Sequence, residues 1–228
     1  MEHAENLQPS TVQTPKRLFV ALRFSAEEQE ALARSRDAVL ERLRAGHPTD
    51  TTNIHLTLAF LGMLDESCEK RAGEALRAAA GACGPVALSL GGLGAFEHRR
   101  GGIVWRGVTQ QEGLLVLQQT LVRELAACEL PVDEKPFVPH ATLVRGARPA
   151  LRPGADGTPD LQLICDEVSR GLPELETRHT EVALMWSHHP EGGLLTYTPI
   201  LTVPLSERHQ KKIAKKFSDE HMTNNPDV

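Results

Sequence analysis

Short apolar runs separated by polar and turn-forming residues recur along the chain, and their period separates strands from helices. Residues 18–22 (Leu-Phe-Val-Ala-Leu) are an unbroken apolar run of strand length. Ser25 and Glu28 have the spacing of a capping box and open a helix predicted over 25–44. Gly46 and Pro48 end it. A second strand is predicted over 53–61, stopping at Gly62, followed by a helix over 65–80 and a strand over 85–93. Gly101-Gly102 turns into a strand over 103–108, and Leu114, Leu117, Leu121 and Leu125 recur at helical spacing within 110–128. After Pro136 and Pro139 a strand is predicted over 140–144, and strands over 180–186 and 194–203 complete the pattern. Residues 147–160 hold three prolines and two glycines and read as an exposed loop. Residues 1–15 read as a flexible tail, 16–205 as a single domain, and 206–228 as a polar tail carrying Lys211, Lys212, Lys215 and Lys216.

Two strand–helix–strand units stand out, over 17–62 and 103–145, and predict a two-lobed α+β domain. A doubly wound sheet fits less well, because no Gly-rich phosphate loop joins a strand to its helix. G-x-x-x-x-G-K-[ST] is absent, and Gly91-Gly92-Leu93-Gly94 does not complete G-x-G-x-x-G. ATP-driven and dinucleotide chemistry therefore have no support.

With 40% hydrophobic and 24% charged residues among 228, the chain has an ordinary globular composition. It contains no run near the ~18 apolar residues of a membrane helix, and Met1 to Ser10 hold no apolar secretory core. A cytoplasmic protein is expected. The net charge of -5 argues against a general nucleic-acid coat, yet a few placed cations still bind one phosphate. Cys68, Cys83, Cys128 and Cys165 are widely spaced, which points to buried thiols rather than a zinc site or disulfide framework.

The informative feature is His55-Leu56-Thr57-Leu58 against His140-Ala141-Thr142-Leu143. His-x-Thr alone is weak, since four of the ten histidines satisfy it, His47 and His221 being the others. Pro48 and Asp50 argue against a regular strand around His47, and His221 sits in the polar tail. On a strand, residues two apart share a face, so each motif offers one imidazole and one hydroxyl on one side and buries Leu or Ala on the other. If the halves pack as pseudo-repeats, the two pairs meet across a cleft. Arg145, near the end of the second strand, supplies a positive fork for a phosphate. Two imidazoles flanking one phosphorus suit hydrolysis of a phosphodiester, one ring taking a proton from water and the other protonating the departing oxygen. No metal is required, and no third ligand, H-E-x-x-H or Cys/His spacing suggests one.

Residues 17–24 (RLFVALRF), 53–62 (NIHLTLAFLG), 90–96 (LGGLGAF), 103–108 (IVWRGV), 135–145 (KPFVPHATLVR), 181–186 (EVALMW) and 195–205 (LTYTPILTVPL) resemble successive blocks of the two-histidine phosphoesterases. Among these the chain is most similar to the RNA 2′,3′-cyclic phosphodiesterases, also called 2′-5′ RNA ligases. The resemblance implies a bilobal α+β fold, two pseudo-symmetric lobes each with an antiparallel sheet and helices, around a cleft. It implies that 2′,3′-cyclic phosphate RNA ends, or small cyclic nucleotides, are opened to 2′-phosphates. His55 would donate a proton to the leaving 3′ oxygen and His140 would activate water, with Thr57, Thr142 and Arg145 holding the phosphate. No cofactor, metal, membrane or obligatory protein partner is expected, and the chain is expected to act as a monomer. Phe24 is a candidate for stacking on a base, whereas Phe19 suits the core better. The chain departs from the family in having no aromatic over 46–52, in Trp186-Ser187-His188-His189, and in a long connection from Gly146 to Arg178. Two other readings remain: ATP-independent 2′-5′ ligation by the reverse reaction, and a nucleotide- or RNA-binding module without turnover.

Overall fold

In a computed structural model, residues 14–98, 101–109, 111–133, 135–150 and 160–206 are described. The expected tails therefore lie outside the described residues except for 14–15 and 206, as does 151–159 of the expected loop.

The first apolar run becomes β1 (Lys16–Arg23). Ser25 and Glu28 then form the capping box, each side chain bonded to the other's backbone N–H, and start α1 (Ala26–Leu40). The helix ends four residues before the expected 44. The chain then forms a strand, β2 (Leu43–Pro48), exposed or half-buried throughout and pairing along β6. No apolar alternation marks it, so only its backbone hydrogen bonds reveal it. Pro48 stands at its end, where the missing N–H costs nothing, so the expectation that Pro48 excludes a strand around His47 is corrected.

A 3-10 turn at Thr51–Asn53 leads into β3 (His55–Leu64), which passes through Gly62 at φ 74 rather than stopping there. Then come α2 (Glu66–Ala82), β4 (Val86–Phe96), β5 (Gly102–Val108), α3 (Glu112–Ala127) and β6 (His140–Pro149). The start of the expected loop, 147–149, is thus the end of β6. Besides β2, two further elements went unpredicted, α4 (Leu161–Ser169) and β7 (Leu175–His179). The signal for α4 was present: Asp160 caps it, and Leu161, Ile164 and Cys165 are its buried stripe. β8 (Glu181–His188) and β9 (Thr196–Pro204) close the chain.

All the strands join one antiparallel sheet in the order β7-β4-β5-β6-β3-β1-β8-β9, with β2 on β6. Outward from its middle, β3-β1-β8-β9 mirrors β6-β5-β4-β7. In each half a strand, a helix and a His-x-Thr strand follow in sequence, β1-α1-β3 and β5-α3-β6. The lobes are therefore two halves of a continuous sheet. The helices interlock them: α1 follows β1 yet packs on β2, β6 and β7, while α3 follows β5 and packs on α2, β3 and β4. One apolar cluster runs through both halves, from Leu18, Leu56 and Leu76 to Val104, Leu143 and Ile164. Within it Arg106 is 2% exposed, its guanidinium donating to the carbonyls of Leu90, Gly91 and Pro173 and to the Ser35 hydroxyl.

Candidate active site

The halves meet where β3 pairs with β6 through a single residue pair, Leu56 with Ala141. These are the residues between His and Thr in the two motifs, and both are fully buried. Their burial turns His55, Thr57, His140 and Thr142 to the opposite face. Following the antiparallel register one step either way sets His55 across from Thr142 and Thr57 across from His140. The imidazoles then lie on a diagonal of the seam, on the order of 7–8 Å at the backbone.

Each strand carries an extra residue just past its motif. Val20 and Ala21 of β1 pair with Ala59 and Thr57, skipping Leu58. Val104 and Trp105 of β5 pair with Val144 and Thr142, skipping Leu143. These bulges reverse the alternation. In a regular strand Arg145, five residues from His140, would point away from it. The bulge returns Arg145 to the imidazole face, where it is exposed, and returns Phe60 to that face at the matching place in the other half.

The two rings are held alike. His55 Nδ1 lies 2.7 Å from the Asn53 carbonyl and His140 Nδ1 lies 2.7 Å from the Val138 carbonyl. A carbonyl only accepts, so Nδ1 carries the proton in each ring and the neutral Nε2 keeps its lone pair. The Thr57 hydroxyl donates to His55 Nε2 at 3.0 Å. Phe19 and Tyr197 wall the His55 ring at 4.8 and 5.1 Å, and Phe96 and Trp105 wall that of His140 at 5.1 and 5.9 Å. Gly94 leaves room for Trp105, since a Cβ there would overlap the indole. Burial, with Arg145 and His140 adding positive charge, pushes His55 down to about 4. Burial and then Arg145 also lower His140 from its ordinary value. Both rings are therefore neutral near pH 7 when the site is empty, and Arg145 is close enough for both to feel it.

A cavity of about 300 Å³ opens beside Thr57 and His140, walled by Phe60, Phe96 and Phe137, with Asp133 and Lys135 on its rim. Phe60 is 56% exposed. Phe24 is not there: it is 5% exposed in the core, edge-on to His179, so the expectation that it stacks on a base is corrected. It belongs to the shared apolar core. Phe19 is buried as expected, but under His55 rather than in the main core.

Several residues of the site had no signal in the sequence. Asn53 pins the start of β9, donating to the Leu195 carbonyl at 2.7 Å and accepting from the Tyr197 N–H at 3.1 Å, which sets Tyr197 against His55. Phe60 was hidden by the bulge. His47, discounted as a bare motif, stands directly opposite Arg145 in the β2–β6 ladder. The four cysteines are free, two buried and two, Cys68 and Cys128, half-buried. Among the described residues no cluster of three His, Cys, Asp or Glu side chains could hold a metal ion, and no helix is long and apolar enough to cross a membrane.

Comparison with known proteins places matching relatives around this geometry. Residues 30–191 match the 2′-5′ RNA ligase superfamily. The chain is 36% identical over 138 residues to an RNA 2′,3′-cyclic phosphodiesterase of Escherichia coli (strain K12), covering 60% of this chain and 76% of that protein. It is 30% identical over 128 residues to a protein of the same name from Geobacillus stearothermophilus, covering 56% of this chain and only 41% of that relative. The crystal structure of E. coli LigT complexed with 3′-AMP superposes with a TM-score of 0.64 at 28% identity, over 85% of this chain and 99% of that one. A crystal structure of a Thermus thermophilus protein superposes at 0.63 with 26% identity, over 83% and 97%.

Proposed function

Since the chain belongs to the 2′-5′ RNA ligase superfamily, we propose that it opens 2′,3′-cyclic phosphates at RNA ends to 2′-phosphomonoesters, without a metal. The observation that carries this reading is the seam itself, where Leu56 pairs with Ala141 and two imidazoles, each anchored through Nδ1 to a backbone carbonyl, stand on one face. The names of the E. coli and Geobacillus relatives support it.

The phosphate lies between Thr57, Thr142 and Arg145, whose hydroxyls and guanidinium hydrogen-bond its non-bridging oxygens. A water on the His140 side loses a proton to the Nε2 lone pair as its oxygen attacks phosphorus in line. The bond from phosphorus to the 3′ oxygen breaks on the far side, and that oxygen takes the proton from His55 Nε2. The product retains the phosphate on the 2′ oxygen, with His140 protonated and His55 neutral, and exchange with solvent resets the pair. Because both rings are neutral near pH 7 in the free protein, the acid takes up its proton from solvent as the substrate binds. The phosphodiester's negative charge offsets Arg145 and favours the imidazolium. Binding thereby arms the acid.

Phe60, in place of Phe24, is the ring offered to the terminal base beside the phosphate. The chain acts as a monomer in the cytoplasm, where four free thiols fit a reducing compartment. The test is incubation of RNA ending in a 2′,3′-cyclic phosphate with the protein and excess EDTA, followed by assignment of the hydroxyl that keeps the phosphate. A 2′-phosphate is expected. A 3′-phosphate product, or no turnover until metal is restored, overturns the reading.

A further inference from the structure

The ribbon formed by β2 and β6 carries cations and no acid in a chain that is net acidic. Neither Leu43–Pro48 nor His140–Pro149 contains Asp or Glu, while the two together carry Arg44, His47, Arg145 and Arg148 beyond the motif histidine. Paired residues of a ladder share a face. His47 pairs with Arg145, and Ala45 pairs with Arg148. Between these pairs β6 has one residue more than β2, with Gly146 at φ 62, and that bulge keeps Arg148 on the face of Arg145. His47, Arg145 and Arg148 thus form a row that starts at the site and runs away from it.

Arg148 stands three residues past Arg145, a step of at most about 10 Å along the strand. That is too far to share the phosphate between the histidines and suits a neighbouring phosphate of the same strand. Arg44 and Arg148 also line an open groove of about 620 Å³ with His98. Glu97 and Asp160 also line this groove and cap α4, accepting from the Leu161 and Gln162 N–H groups.

We propose that the β2–β6 ribbon is a track for the backbone of single-stranded RNA upstream of the cyclic end, with Arg44, His47 and Arg148 holding phosphates beyond the one that reacts. This extends the proposed function, on which it rests for the position of the RNA end. A 2′,3′-cyclic terminus continues only in the 5′ direction, so a one-sided row of cations suffices. The track makes an RNA oligomer a better substrate than a cyclic mononucleotide and makes that advantage depend on salt.

The experiment compares the wild type with Arg44→Ser/Arg148→Ser and with Arg44→Lys/Arg148→Lys. Fluorescence anisotropy reads binding of a labelled RNA oligomer with an ordinary 3′-hydroxyl, and a second assay reads turnover of a 2′,3′-cyclic mononucleotide. The serine variant should bind the oligomer about tenfold more weakly and lose roughly 1.4 from the slope of log affinity against log salt, for two phosphates at about 0.7 each. Lysine should restore most of the binding, and mononucleotide turnover should stay at the wild-type level in both variants. Oligomer binding unchanged in the serine variant, or an equal loss on both substrates, overturns the track. Absence of turnover of a 2′,3′-cyclic-ended RNA by the wild type would instead overturn the proposed function, while the anisotropy comparison would still decide the track.

Discussion

The two halves of the sheet carry the same machinery and finish it differently. Each presents an imidazole whose Nδ1 donates to the carbonyl two residues earlier, a threonine two residues later, and a bulge directly after. At the residue that the bulge turns back to the cleft, the first half places Phe60 and the second Arg145. The first half also closes around its ring, with Phe19 beneath, Tyr197 edge-on and the Thr57 hydroxyl on Nε2. A duplicated imidazole–hydroxyl pair is thus finished with charge on one side and a flat apolar group on the other. In the proposed reaction the symmetric strands supply the chemistry and the divergent fifth position supplies orientation.

The sharpest way to break this comparison is to remove either ring. His55→Ala and His140→Ala should each lower kcat on a 2′,3′-cyclic substrate by about a hundredfold or more, the usual worth of a general acid or base. Near-wild-type turnover by one folded variant would show that the halves do not share the reaction. Next comes the divergent position. Arg145→Ala should lower kcat/KM by roughly 10–100-fold whatever the base, as expected for a charge-assisted bond to phosphate. Phe60→Ala should cost roughly fivefold or more, mainly in KM and more for purines than pyrimidines, as loss of stacking does. Kinetics on four cyclic mononucleotides would separate the two, and equal base dependence in both variants would contradict the division.

The smallest effect is in pH. Both histidines are held below their ordinary value in the free protein, His55 at about 4. The group that must be protonated therefore loses its proton before pH 6.5, so kcat/KM should peak on the acid side of 6.5 and fall as pH rises. The limb belongs to the coupled pair rather than to either ring. In the complex the phosphate's charge raises the imidazoles, so the alkaline limb of kcat should lie at higher pH. Since Arg145 lowers both rings, Arg145→Ala should shift the kcat/KM limb upward. A limb unmoved in that variant would place Arg145 outside electrostatic reach.

Much of the site was legible because it is local. His55, Thr57, His140 and Thr142 were named by a two-residue period, and Leu56 and Ala141 by the burial this period demands. Phe24 failed as a stacking residue because one ring at the end of an apolar strand reads the same whether it faces a cleft or a core. β2 and His47 were missed for the opposite reason, since an exposed ribbon held by backbone bonds leaves no apolar pattern.

The sequence by itself determined the two motifs, their strand context and the face each imidazole takes relative to its neighbours, because side-chain alternation is set by the backbone of one strand. Only the tertiary structure decided that β3 and β6 touch at Leu56 and Ala141, that Leu58 and Leu143 are the skipped residues, and that Arg145 and Phe60 therefore point into the cleft. Register and bulges depend on which hydrogen bonds the neighbouring strand offers, and that neighbour lies far away in the chain.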